Sequence, residues 1–321
     1  MLRSIDTAAA PARMRPTSYA AHADLKHGLL QPQARISPKY LYDARGCELF
    51  EQITRLPEYY PTRTEAAILA DAGPAMAQAL RGHEVLIELG AGNCEKVRVL
   101  CRSLQPRHFV GVDIAGEFLR EAVRRLAEEF PGLDARAVQA DITRPVQLPA
   151  DLPPAGRLLF YPGSSIGNFD PVDALAMLRR MHGLLGPRGG LLIGIDLPKP
   201  LHWLEPAYDD AQGVTARFNL NVLRHVNRLI GSDFDEDDWA HLAFFNADQS
   251  RIEMHLRARR TLTVTWPDGK RRFAAGQTIH TENSYKYALP RFQSMLAEAG
   301  FTPGEVWTDP RQWFAMVHAR V

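Results

Sequence analysis

Cysteine is scarce in this chain. Cys47, Cys94 and Cys101 are the only 3 cysteines in 321 residues, too few and too scattered for a disulfide framework or a zinc site. That scarcity points to a reducing, cytoplasmic compartment. Long apolar runs are also missing, and none approaches the roughly 18 residues a membrane span requires. Prolines and charges break up the N-terminal alanines, so no secretory apolar stretch forms there, and residues 1–18 read as a flexible tail. Neither sign of charge is in excess. Lys plus Arg number 38 against 37 for Asp plus Glu, which leaves no electrostatic footprint for nucleic acid or an anionic membrane. The 11 histidines contain no HxH or HxxxH pair, so no metal is expected. What remains is a globular protein whose partner is a small molecule, and a monomer is the simplest expectation.

At 45% hydrophobic and 23% charged residues, the chain has material for one large domain or two modest ones. Between residues 84 and 197, short apolar runs alternate with amphipathic stretches. EVLIELG, AVQADI, RLLFYPGSS and GGLLIGIDL read as strands, and GEFLREAVRRLAEEF and PVDALAMLRRMHGLLG as helices. Such alternation predicts an α/β fold with a parallel sheet covered on both faces. Residues 199–286 break the rhythm with a polar-aromatic segment, an acidic SDFDEDDW and β-like runs. A helix over LPRFQSMLAEAG and the strands FTPGEVWTD and FAMVHARV then resume it. An interrupted and resumed sheet predicts a smaller domain set into the larger one, with a cleft between them.

The first strand runs into Glu88-Leu89-Gly90-Ala91-Gly92-Asn93-Cys94-Glu95-Lys96. Glycines at a strand-to-helix turn let backbone approach a ligand. A dinucleotide fingerprint would place a third glycine where Glu95 stands, and an acid at a helix start disfavours pyrophosphate. S-adenosylmethionine carries no phosphate and escapes that objection. Asp113 closes the second strand about 20 residues on, where an acid accepts ribose hydroxyls. Asp141 is expected at the end of a third strand, suited to an adenine amino group. The three strand ends together read as S-adenosylmethionine binding, with helix capping as the alternative for each acid alone. From the residues alone, the reading stops at a methyltransferase of unknown substrate.

Four further segments carry polar and aromatic groups that packing alone does not require. They are PKYLYDARGCELFEQITRLPEYYPTRTE, PGSSIGNFDP, AYDDAQGVTARFNLNVL, and RIEMHL with the later HTENSYKY. On these phrases, and on ELGAG followed by EK, the chain resembles the histidine Nα-methyltransferases of the ergothioneine pathway from about residue 38 to residue 287.

The resemblance implies a class I methyltransferase, with a Rossmann-like sheet and a second, smaller α+β substrate-binding domain. It implies residues 19–63 with 199–286 for the substrate domain, and 64–198 with 287–321 for the cofactor domain. Gly90, Lys96, Asp113, Asp141 and Ile142 fall on the cofactor side. Tyr59, Gly163, Asn168 and Tyr208 fall where the family holds the amine and carboxylate of the amino acid, and Tyr42 sits nearby. Met254, Glu282 and Ser284 fall around the imidazole. The implied reaction is trimethylation of L-histidine to hercynine, with S-adenosylhomocysteine as by-product and Tyr59, Asn168 and Tyr208 as the positioning groups. A tryptophan-type amino acid is the alternative substrate. The chain departs from its relatives at Ile142, where an aromatic is frequent, at Pro162, and at His280, expected near the imidazole pocket.

Overall fold

A computed structural model describes residues 22–321; the tail expected over residues 1–18 lies outside the described residues. The chain begins with α1 (Ala23–Leu30), the short β1 (Ala34–Arg35) and the helices α2 (Ala44–Ile53), α3 (Tyr60–Asp71) and α4 (Gly73–Ala79). Strand and helix then alternate through β2 (Val85–Leu89), α5 (Val97–Leu104), β3 (His108–Asp113), α6 (Gly116–Glu129) and β4 (Asp134–Gln139). The same rhythm continues in β5 (Arg157–Tyr161), a single 3-10 turn (Ser165–Asn168), α7 (Pro171–Leu185) and β6 (Gly190–Asp196). The middle of the chain holds α8 (Leu201–Leu204), α9 (Val214–Ile230) and β7 (Trp239–Asn246). It continues with β8 (Arg251–Ala258), β9 (Leu262–Trp266), β10 (Gly269–Phe273) and β11 (Thr278–Tyr285). The helix α10 (Leu289–Glu298) and the strands β12 (Thr302–Thr308) and β13 (Phe314–Arg320) end it.

The larger sheet has 7 strands in the order β12-β13-β6-β5-β2-β3-β4. β4, β3, β2, β5 and β6 run parallel, whereas β13 lies antiparallel to β6 and β12 antiparallel to β13. This is the α/β, Rossmann-like sheet that the alternation and the resemblance imply. Its central strands β2, β5 and β6 are mostly apolar because each face carries helices. Val85, Ile87 and Leu89 pack with residues of α7 and α10, while Leu86 packs with residues of α4, α5 and α6. The period of two along the strand divides one apolar run between two cores.

Asp141 is not at a strand end as expected. β4 stops at Gln139, which pairs with Asp113, the last residue of β3. Beyond Asp113 there is no neighbouring strand to continue the ladder. Asp141 instead starts a turn, its Oδ1 accepting the Thr143 N–H at 2.9 Å.

A second sheet has 4 strands in the order β1-β11-β8-β7. α9, read from sequence only as a polar-aromatic segment, buries Phe218, Val222 and Val226 in a core shared with α1, α2, Ile252 and Leu256. The early segment and the late insertion meet in this sheet, since Ala34 of β1 pairs parallel with Ile279 of β11. A bulge separates His280, opposite His255, from Glu282, opposite Met254. One extra residue turns the strand over, so His280 shares a face with His255 and Glu282 shares the other with Met254. No helix among the described residues is long and apolar enough to cross a membrane.

Candidate active site

The turn after β5 lies at the C-terminal edge of the parallel strands, where ligands of such sheets bind. There, Gly163 holds φ +76 and Ser164 φ +55 before the 3-10 turn that ends in Asn168. Tyr42 closes the 3-10 turn Pro38–Leu41, Tyr59 precedes α3, and Tyr208 lies between α8 and α9. Met254 stands in β8, with Glu282 and Ser284 on β11 two residues apart and hence on one face. Tyr42, Tyr59, Gly163, Asn168, Tyr208, Met254, Glu282 and Ser284 all line one cavity, with Phe50, Thr215 and Phe218 among the other residues of its wall. His280 does not line it. Its ring stacks on that of His255 at 4.6 Å between centroids, on the opposite face of the small sheet.

The cavity has an aromatic side and a polar floor. Tyr42 meets Phe50 and Phe218 edge-on, each at 5.6 Å between centroids, and Tyr59 meets Tyr208 at 6.2 Å. On the floor, Asn168 Nδ2 donates to Glu282 Oε1 at 3.1 Å. The Tyr208 and Ser284 hydroxyls lie 2.6 Å apart. Burial pushes the Glu282 carboxyl up to about 7, against the pull of the Lys286 charge and the Asn168 hydrogen bond. Burial likewise raises the Tyr42 and Tyr59 phenols well above 10, helped by the charge of Glu282. Tyr208 also moves upward through burial. None of these phenols is ionised near neutral pH.

On the cofactor side, Gly90 and Gly92 hold φ +67 and +51, and a Cβ built on either meets nothing within 4 Å. That is a cradle open to a ligand. Gly92 N–H donates to Asp113 Oδ2 at 3.0 Å, tying the loop to the end of β3. Glu88 is buried, and among the described residues its Oε2 has no hydrogen-bond partner. Burial raises the Glu88 carboxyl well above its ordinary range, and a buried carboxyl oxygen without a partner beside a glycine cradle fits the cationic amino-acid end of S-adenosylmethionine, whose charge would favour its ionised form. Lys96 pairs with the fully buried Glu65 at 2.6 Å, and Glu65 Oε1 accepts the Gly163 N–H at 2.7 Å. Lys96 thus connects the cofactor loop to the substrate turn. Asp141 Oδ2 receives Lys39 Nζ at 3.1 Å, and Ile142 packs half-buried against the core under the sheet.

Several of these residues escaped the sequence reading. Glu65 and Glu88 stand inside quoted phrases, TRTE and LIELG, without a role attached. Lys286 continues the Glu282–Ser284 alternation one step further, a period that does not report its remote partners. Behind the cavity, Asp196 is buried between Lys286 Nζ at 2.7 Å and Lys199, with Tyr60 OH donating to it at 2.6 Å. Burial lowers the Lys199 ammonium to about 8 despite the attraction of Asp196.

Glu253, His255 and His280 form a cluster with ligating atoms within 4.8 Å of one another, although sequence spacing had given no metal pair. Glu253 Oε1 there already accepts from Arg251, at 2.7 Å and 2.8 Å, and from Asn246 at 2.8 Å. The stacked imidazoles lie near parallel at 15°, which keeps their in-plane lone pairs from converging on one point.

The family model for histidine-specific, S-adenosylmethionine-dependent methyltransferases matches residues 21–321. The chain is 41% identical over 304 residues to the histidine N-alpha-methyltransferase of Mycolicibacterium smegmatis, covering 92% of this chain and 94% of that protein. It is 40% identical to the protein of the same description from Mycobacterium tuberculosis, covering 90% and 91%. Ergothioneine biosynthesis protein 1 of Schizosaccharomyces pombe is 28% identical over 81% of this chain and 35% of its own length.

Proposed function

The chain belongs to the histidine-specific, S-adenosylmethionine-dependent methyltransferases, and from that premise we propose that it methylates the α-amino group of L-histidine three times in succession. The product is hercynine, and each transfer releases S-adenosylhomocysteine. The observation that carries this reading is the floor of the cavity, where the buried Glu282 and Ser284 stand beside Met254 and within reach of Asn168. A carboxyl group and a hydroxyl on one strand face match the two ring nitrogens of an imidazole. An indole offers a single N–H and would leave one of these polar groups unpaired, which costs about 1–3 kcal/mol. Tryptophan is therefore the weaker reading.

S-adenosylmethionine supplies an electrophilic methyl group on a sulfonium. The residues that would hold it are Gly90 and the Glu88 carboxylate, with Lys96 alongside, Asp113 for the ribose, and Asp141 with Ile142 for the adenine. The chain's own contribution to transfer is alignment, worth several kcal/mol when reacting atoms are held in line. Asn168 and Tyr59 orient the amine, Tyr208 and the Gly163 turn support the carboxylate, and Tyr42 closes the aromatic side. Phenols raised above their ordinary range are poor bases, so water takes the ammonium proton before attack. Tyrosine faces favour the growing cation by about 0.5–2 kcal/mol.

No metal enters this scheme. The division into residues 19–63 with 199–286 and residues 64–198 with 287–321 is supported by the separate cores beside each sheet. A cytoplasmic setting fits the three free, buried cysteines. Mass spectrometry of histidine incubated with the protein and S-adenosylmethionine tests the function. A gain of three methyl groups is expected; a stop at one, or methylation of tryptophan in preference, would overturn it.

A further inference from the structure

Lys286 follows β11 directly, and its side chain is 0% exposed. An ammonium has three N–H donors and accepts nothing. Here the donors go to Asp196 Oδ2 at 2.7 Å, Ser284 Oγ at 2.8 Å and Tyr208 OH at 3.2 Å. Both hydroxyls that face the cavity therefore already accept a hydrogen bond from a buried cation. An oxygen so engaged donates more readily and accepts less readily. The two hydroxyls also lie 2.6 Å from each other. Of the pair, the phenol is the more acidic and is the natural donor. With the Tyr208 proton lying between the two oxygens, Ser284 keeps its own proton to offer to the ring. Glu282, one step along the same strand face, has Oε1 engaged by Asn168 and serves the ring as acceptor.

Building on the histidine reading, we propose that Lys286 is a specificity-determining positioning residue. By donating to Ser284 and Tyr208 from behind the cavity, it makes Ser284 a hydrogen-bond donor. The site then takes the substrate ring as a neutral azole, with its N–H on Glu282 and its bare nitrogen on Ser284. An imidazolium would place a second N–H against a hydroxyl whose oxygen is already claimed, with an ammonium behind it. A ring without an acceptor nitrogen would leave the Ser284 proton unpaired. Asp196 does not depend on Lys286 alone, because Lys199 and Tyr60 also bind it.

Lys286→Met tests this in the S-adenosylhomocysteine-loaded protein, with dissociation constants for L-histidine and for 3-(2-thienyl)alanine, an isostere that lacks ring nitrogen. Histidine is expected to weaken about 10- to 150-fold, the worth of a hydrogen bond to a charged group, while the thienyl analogue changes by about threefold or less. Adding Lys286→Met to Ser284→Ala is expected to weaken histidine little further. Parallel losses for both ligands, or full additivity in the double variant, would show Lys286 to be merely structural and overturn the proposal. ¹⁵N spectra of ring-labelled histidine bound to the unaltered protein give a check that does not depend on a variant folding. A neutral ring with one protonated nitrogen is expected, and a doubly protonated ring would overturn the assignment. Should the unaltered protein neither bind nor methylate histidine, it is the functional reading that fails.

Discussion

Glu282 is the cavity's buried acid. Burial raises its carboxyl to about 7 from an ordinary 4.5, so the fold favours the protonated form. A group raised in this way adds stability that is complete below about pH 4.5 and is lost as pH climbs through about 7. Glu282→Gln keeps the shape and removes the charge. In urea denaturation at pH 8, the ligand-free variant is expected to be more stable than the parent by on the order of 1–3 kcal/mol, with the gap closing toward pH 4.5. A variant less stable at pH 8 would contradict this assignment of strain. At this scale the cavity-lining residues were legible because they sit in long, distinctive phrases. Glu65 and Lys286 were not, because their partners are remote in the chain. Glu65 binds Gly163 across 98 positions and Lys286 binds Tyr208 across 78, and no local pattern reports such a meeting.

Among the elements, the 3-10 turn Ser165–Asn168 depends on close approach to β11. A Cβ on Gly167 would stand 2.9 Å from the Tyr285 carbonyl oxygen and 3.2 Å from its nitrogen, both backbone atoms. Gly167→Ala must therefore push the turn off the strand and separate Asn168 from Glu282. The expected result is a loss of about tenfold or more in kcat/KM for histidine, of the kind a misplacement of about 1 Å produces. S-adenosylhomocysteine affinity should be unchanged, because the glycine cradle lies elsewhere. Equal loss of cofactor binding would place the damage in the fold and not in the turn. The helices α6, α7 and α10 and the buried strands β2, β5 and β6 were readable from their periods. The end of β4 and the bulge after His280 were not, since a strand stops or turns over according to its neighbour. That is why Asp141 and His280 lie differently from their expected places.

For the whole molecule, alternation foretold the parallel sheet and its interruption. It could not supply the strand order, which depends on how crossovers pack, nor the pairing of β1 with β11. The cavity draws on the edge of one sheet and the face of the other, so a ligand in it bears on both cores. Histidine at about 100 times its dissociation constant is expected to stabilise the folded protein by about 2.7 kcal/mol. Differential scanning calorimetry should therefore show a rise in Tm with histidine beyond that from S-adenosylhomocysteine alone. A histidine-free ceiling reached with S-adenosylhomocysteine, with no further rise, would contradict a site shared between the two sheets.

The seam between β1 and β11 also has a history in time. Gln33, beside β1, reaches Thr278 across 245 positions. During vectorial synthesis on a ribosome the parallel sheet can begin to assemble through β6 while the small sheet still lacks its central strands. Contacts of such high sequence separation form late and slowly. The early segment, which carries Tyr42 and Tyr59, must wait for most of the chain to emerge. The larger sheet can therefore begin to form well before the small one, and the cavity, which draws on both, comes last.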